Sequence, residues 1–128
     1  MDVIKGTSKK VLEINLTSRK FTIYTVSKEE RKFFLGGKGL GLKLLFDRLQ
    51  SGIDPLSAEN ILAVMPGVLE STGAPCTARF AAVTKSPLTG IMASANCGGS
   101  FGGQLKTAGW DGILIRGKAQ KHIGVAPS

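Results

Sequence analysis

Residues 94–112, SANCGGSFGGQLKTAGWDG, hold six glycines around one asparagine and one cysteine. Asn96-Cys97-Gly98-Gly99 is the sharpest part of this stretch. The Asn96 side chain offers one carbonyl and one amide, which can read the edge of a heterocycle or orient a metal-bound water. Gly98 and Gly99 clear side chains from the path of a ligand. Backbone amides at the start of the helix that follows favour an anion. Arg79, at the start of a strand predicted over 79–86, presents a planar, bidentate donor suited to a phosphate or a heteroaromatic ring. The plain alternatives are a generic glycine turn and a solvated surface arginine. Hydrolytic chemistry has no support. His122 is the sole histidine, with no carboxylate or serine at useful spacing, and neither H-E-x-x-H nor G-x-S-x-G occurs.

A second glycine cluster, GGKGLG at 36–41, resembles a nucleotide fingerprint at first sight. It has the wrong spacing for G-x-G-x-x-G and follows a predicted helix rather than a strand. It reads either as a glycine hinge between two helices or as backbone that approaches a flat or phosphorylated ligand closely. Cys76 and Cys97 lie 21 residues apart. Two cysteines cannot supply the four thiolates of a usual iron–sulfur cluster or structural zinc site. Both are expected as small residues in a packed interior.

The framework that carries these groups follows from periodicity. VLEINLT (11–17) alternates apolar and polar residues, and FTIYTV (21–26) reads as its hairpin partner. Ser27 and Glu30 have capping-box spacing and open a short helix to Leu35, with Gly36 as its C-cap. In the next helix Leu42, Leu45, Phe46 and Leu49 fall on one face. ILAVMPG (61–67) is a short buried strand, SPLTG (86–90) a turn, IMASAN (91–96) a strand of small residues. A helix is predicted from Gly102 to Ala108, then strands at GILIRG (112–117) and HIGVA near the C-terminus. The order predicts an α+β fold, a strand-rich single domain over 1–128 with two or three helices.

The chain has 128 residues, enough for one domain with a real core. Seventeen of them are glycine, about twice the average usage of roughly 7%. No apolar run approaches the roughly 18 residues of a membrane span, and MDVIKGTSKK has no apolar core of the signal-peptide kind. Both point to a cytoplasmic location. The net charge of +8 admits nucleic acid as a partner. The basic residues are spread out, however, with no run longer than two, and few aromatics are available for stacking on bases.

Three stretches taken together carry more than any one alone. GGKGLGLKLLFDRL, ARFAAVTKSPLTG and ANCGGSFGGQLKTAGWDGILIRGKA occur in this order. They closely resemble the N-terminal domain of the aldehyde ferredoxin oxidoreductase family, over nearly the whole chain from VLEINLT onward. The resemblance implies a tungsten or molybdenum ion held by two pterin dithiolenes, a tungstopterin or molybdopterin cofactor. It implies that Arg79 and Asn96 contact one pterin and that Gly98 approaches it closely. It also implies that the backbone oxygen of Asn96 helps hold a magnesium ion between the two pterin phosphates. Lys38 stands where the family often has arginine, keeping the charge but losing the planar fork. Cys97 stands where the family has serine, and that position is not a metal ligand.

Family enzymes are several times longer, and their cluster cysteines, acid–base residues and substrate pocket lie beyond the matched region. The resemblance therefore implies a pterin-binding domain or subunit that supports oxidation of aldehydes to carboxylic acids. Electrons would pass to ferredoxin through a [4Fe-4S] cluster supplied by other domains or a larger partner chain. On its own the chain is expected to be inactive. The alternative is a non-catalytic module for cofactor storage or assembly, in which a homodimer would rebuild a two-pterin cradle from two copies. A small basic nucleic-acid binder is the third reading.

Overall fold

The structure, a computed structural model, describes residues 7–121. Six strands form one mixed sheet in the order β2-β1-β6-β3-β4-β5. They are β1 (Lys10–Asn15), β2 (Lys20–Thr25), β3 (Ile61–Pro66), β4 (Arg79–Lys85), β5 (Met92–Gly98) and β6 (Gly112–Arg116). Only β1 and β6 pair in parallel; every other neighbouring pair is antiparallel. Three helices complete the described residues: α1 (Lys28–Phe34), α2 (Gly37–Arg48) and α3 (Phe101–Thr107). The α+β class and the helix number agree with the sequence reading. The HIGVA strand and His122 lie outside the described residues. No helix among the described residues is long and apolar enough to cross a membrane.

Alternation along the strands makes one face of the sheet the core. Val11, Ile61, Ala63, Met65, Ala81, Val83 and Leu114 point to that face and are buried there with Leu40, Leu44 and Leu45 of α2. Gly41 sets the distance between the layers. A Cβ at Gly41 would stand 3.1 Å from Met65 Cγ and 3.2 Å from Val83 Cγ2, so the bare backbone lets α2 settle on β3 and β4. This contact also corrects the expected helix face. Leu45 is buried, and Leu42 and Leu49 are partly so, but Phe46 is 78% exposed. With Gly41 turned to the sheet, the buried stripe runs through 40, 41, 44 and 45. A glycine carries no hydrophobic signal, so periodicity alone misplaces the face.

The capping box at Ser27 forms as expected. Glu30 N donates to Ser27 Oγ at 3.1 Å, and Ser27 N donates to Glu30 Oε1 at 3.3 Å. Ser27→Ala is expected to cost about 1 kcal/mol of stability, read as a lower midpoint in chemical denaturation. At the other end of α1 the expected C-cap at Gly36 is replaced by Leu35, which takes φ +59°. Arg31 Nη1 donates to the Leu35 carbonyl, which helps fix that uncommon conformation. Gly36 instead becomes the N-cap of α2 in extended backbone. GGKGLG is thus less a hinge than the first turn of α2.

The second face of the sheet is apolar but largely open. Leu12, Ile14, Phe21, Ile23, Leu62 and Ile115 fall on it by register. α3 meets this face at one end, where Phe101 packs edge-on against Phe80 with centroids 5.4 Å apart. Phe21 and Ile23 remain 68% and 54% exposed.

Candidate functional site

Strand register decides whether the expected site residues can meet. Arg79 lies directly opposite Gly98, and Ala81 directly opposite Asn96, across the β4–β5 ladder. Directly opposed residues share a face, and residues two apart on a strand share it too. Arg79, Asn96 and Gly98 therefore stand on one face of the sheet, Arg79 and Asn96 as diagonal neighbours. Such neighbours sit about 7–8 Å apart at the backbone, so a long guanidinium and a carboxamide can reach one ligand. It is the same face that carries Ala81 and Val83 beneath α2.

Both side chains are open to solvent. Among the described residues, neither the Arg79 guanidinium nor the Asn96 carboxamide has a hydrogen-bond or ion-pair partner. β5 is an edge strand, so half of its backbone polar groups point away from the ladder. Gly98 belongs to β5 rather than to the turn after it. A Cβ there would meet only the Ala78 carbonyl, at an ordinary 3.5 Å. The protein's own packing thus leaves room for a side chain at Gly98. Gly99 follows at φ +107°, which L side chains rarely adopt, and turns the chain toward α3.

A hollow of about 390 Å³ opens beside Arg79. Its walls include Leu35 and Gly36 at the α1–α2 corner, Gly67 and Leu69 of the following turn, and Thr77. Leu35 and Leu69 are 62% and 59% exposed. An apolar-walled hollow with a guanidinium at its mouth suits a flat heterocycle bearing polar or anionic groups. The donors on this face fit the group that the resemblance implies, with bare main chain at Gly98, an unpaired carboxamide and an unpaired guanidinium; Arg79 lines the apolar hollow, whereas Asn96 and Gly98 do not. Lys38 lies in the first turn of α2.

One expectation is corrected here. Neither cysteine is in a packed interior; both are free and exposed. Cys76 sits in the loop before β4 with φ +59°, and Cys97 lies exposed on the edge strand. The chain's own Glu70 carboxyl stands beside the start of α3, where an anion is expected. A Cβ on Gly102 would stand only 2.5 and 2.6 Å from the two Glu70 oxygens.

Sequence reasoning misses the polar groups that hold this site from behind. Lys106 Nζ donates to the carbonyls of Val68 at 2.7 Å and Gly67 at 3.2 Å, pinning the turn that walls the hollow. Burial pulls the Lys106 ammonium below its ordinary pKa, and the nearby Asp111 charge opposes that. Arg31 and Asp111 form a buried ion pair joining α1 to the start of β6. Asp111 also accepts from Ser8 N at 2.9 Å and Lys9 N at 3.2 Å. The turn signal Trp110-Asp111-Gly112 is legible in the sequence, but not its partner 80 residues away.

Comparison with known proteins places the chain in a family and matches its fold. Residues 11–126 match the family described as "Aldehyde ferredoxin oxidoreductase, N-terminal domain". The tungsten-containing aldehyde ferredoxin oxidoreductase of Pyrococcus abyssi is 46% identical over 114 residues, covering 89% of this chain and 19% of that protein. A Pyrococcus furiosus protein, the WOR-like subunit of an aliphatic sulfonate oxidoreductase, is 36% identical over 117 residues, with 89% and 18% covered. Among solved structures, the active-site complex BamBC of benzoyl coenzyme A reductase, bound to 1,5-dienoyl-CoA, superposes with a TM-score of 0.88 at 34% identity. That match covers 91% of this chain and 18% of the other. The chain spans about a fifth of the length of these relatives. On the match across residues 11–126, the chain belongs to the aldehyde ferredoxin oxidoreductase family, whose N-terminal domain it carries.

Proposed function

We propose that this chain is the pterin-cofactor-binding part of a tungsten or molybdenum aldehyde ferredoxin oxidoreductase. The observation that carries the reading is the shared face of Arg79, Asn96 and Gly98, with both polar side chains unengaged among the described residues. Arg79 and Asn96 would supply directional hydrogen bonds to one pterin, and Gly98 would leave bare main chain for it to approach. The backbone carbonyl oxygen of Asn96 would help hold a magnesium ion that accompanies the cofactor. When bound, the metal–pterin cofactor supplies the chemistry, in which an aldehyde and water become a carboxylic acid with release of two electrons and two protons.

The chain's own task is to bind and orient. Its two cysteines cannot ligate a [4Fe-4S] cluster, so the cluster that passes electrons to ferredoxin belongs to other domains, on this chain or another. The open apolar face around Phe21 and Ile23 fits a surface on which such domains rest. A cytoplasmic location goes with this reading.

The test is cofactor content. The protein is produced in a host that makes the pterin cofactor and is fed tungstate or molybdate. Metal is then measured by mass spectrometry, and pterin by fluorescence after oxidation. The expected result is pterin and metal co-eluting with folded protein. Folded protein that elutes free of both, while a full-length relative made in the same host carries them, overturns the reading.

A further inference from the structure

Glu70 is the most unusual side chain outside the proposed contacts. Its neighbour Leu69 is 59% exposed, yet Glu70 is 2% exposed. A glutamate is almost never fully buried unless it is paired. Among the described residues, neither carboxyl oxygen has a hydrogen-bond partner of good geometry. The amides of Gly67 and Gly103 nevertheless lie close enough to favour its charge, as does Lys106. The carboxyl is wedged against the bare backbone of Gly102 in α3, where any side chain would collide with it. Glu70 is also a wall common to two hollows. One, of about 390 Å³, contains Arg79; the other, of about 420 Å³, lies behind it and is lined by Thr7, Ser71, Lys106 and Asp111.

We infer that Glu70 is a positioning residue whose protonation sets how the Gly67–Glu70 turn stands against α3, and so shapes the hollow beside Arg79. Ionised, the carboxylate draws the Gly67 and Gly103 amides and the Lys106 ammonium toward itself. Neutral, it releases them, and the turn relaxes. The charged groups around it are Lys106 from α3, the Arg31–Asp111 pair joining α1 to β6, and Arg79 across the front hollow. The inference rests on the proposed cofactor site for its purpose, but not for its geometry.

The direction in pH follows from burial. Burial is the largest influence on Glu70 and raises its pKa above the usual 4.5, against the opposing amides and Lys106. Its neutral form therefore contributes stability that is complete below the unfolded-state pKa. That contribution is lost as pH rises through the raised native value. Glu70→Gln keeps the shape without the charge and is expected to raise Tm above neutral pH by roughly 3–5 °C.

The experiment is an NMR titration of the isotope-labelled full chain from about pH 4 to 8, bracketing ordinary and raised carboxyl values. It follows the Glu70 carboxyl carbon, the Gly67 and Gly103 amides, and the Arg79 Nε–Hε signal. The expected result is one shared midpoint above the ordinary glutamate value, with the Arg79 response abolished in Glu70→Gln. Glu70→Asp, which keeps the acid but withdraws it from Gly102, is expected to lower that midpoint and supplies a second variant should the first fail to fold. An Arg79 signal that does not move while Glu70 titrates overturns the inference, as does one that titrates unchanged in both variants. Fluorescence titration with a phosphorylated pterin runs in parallel. Absence of binding at every pH would count against the proposed function, while the shared midpoint alone would still decide the role of Glu70.

Discussion

Replacing Asp111 with alanine is expected to destabilise the fold by roughly 3–5 kcal/mol, the cost of leaving a buried charge without its partner. Arg31 is 5% exposed and Asp111 6% exposed, and Arg31 Nε already lacks a hydrogen bond. Without the carboxylate, the guanidinium would keep, among the described residues, only the Leu35 carbonyl and the Thr7 hydroxyl. The amides of Ser8 and Lys9 would lose their acceptor as well. Equilibrium urea unfolding measures the effect. Replacing both partners, as Arg31→Met with Asp111→Leu, is expected to recover a large part of the loss, because no orphaned charge remains. Asp47→Ala provides the contrast. Its partner Lys43 lies one turn away on the exposed side of α2, and the change is expected to cost no more than about 0.5 kcal/mol. The Arg31–Asp111 pair also bears on the site, since Arg31 holds the Leu35 carbonyl at the corner that walls the hollow.

Arg79→Met is expected to weaken binding of a phosphorylated pterin by roughly 10–100-fold, the worth of hydrogen bonds from a charged donor. The fold should hardly notice the change. Arg79 is exposed and its guanidinium has no partner among the described residues, and such surface substitutions stay within about 0.5 kcal/mol. Arg79→Lys keeps the charge but not the planar fork, so an intermediate loss is expected. Fluorescence titration reads the affinity and thermal unfolding reads the stability. A loss of affinity that tracks a loss of Tm would mean that Arg79 supports the fold rather than the ligand.

The contrast between these two arginines shows what a sequence can and cannot disclose. Arg79 is legible because it opens a strand after a loop, and because Asn96 and Gly98 sit in a recognisable glycine-rich run. Their common face is not legible, since it depends on the register of β4 against β5. Arg31 looks like one more charge on a short helix. Its burial depends on Asp111, 80 residues away, and no local pattern announces such a pair. The same holds for Glu70, which a polar loop conceals and which only the absence of a side chain at Gly102 explains. Phe46 is misplaced for the opposite reason: apolar periodicity counts its ring and overlooks the glycine that seats the helix. Local signals such as the Ser27–Glu30 capping box survive folding unchanged because both partners lie within one turn.

Whether Arg79, Asn96 and Gly98 form one ligand-binding surface can be decided by adding a phosphorylated pterin to the isotope-labelled chain and mapping the NMR shifts. If they do, the largest changes fall together on the Arg79 Nε–Hε group, the Asn96 side-chain amide and the Gly98 backbone amide, with the open face around Phe21 and Ile23 unmoved. Shifts confined to that apolar face, or none at a saturating pterin concentration, would show that they do not.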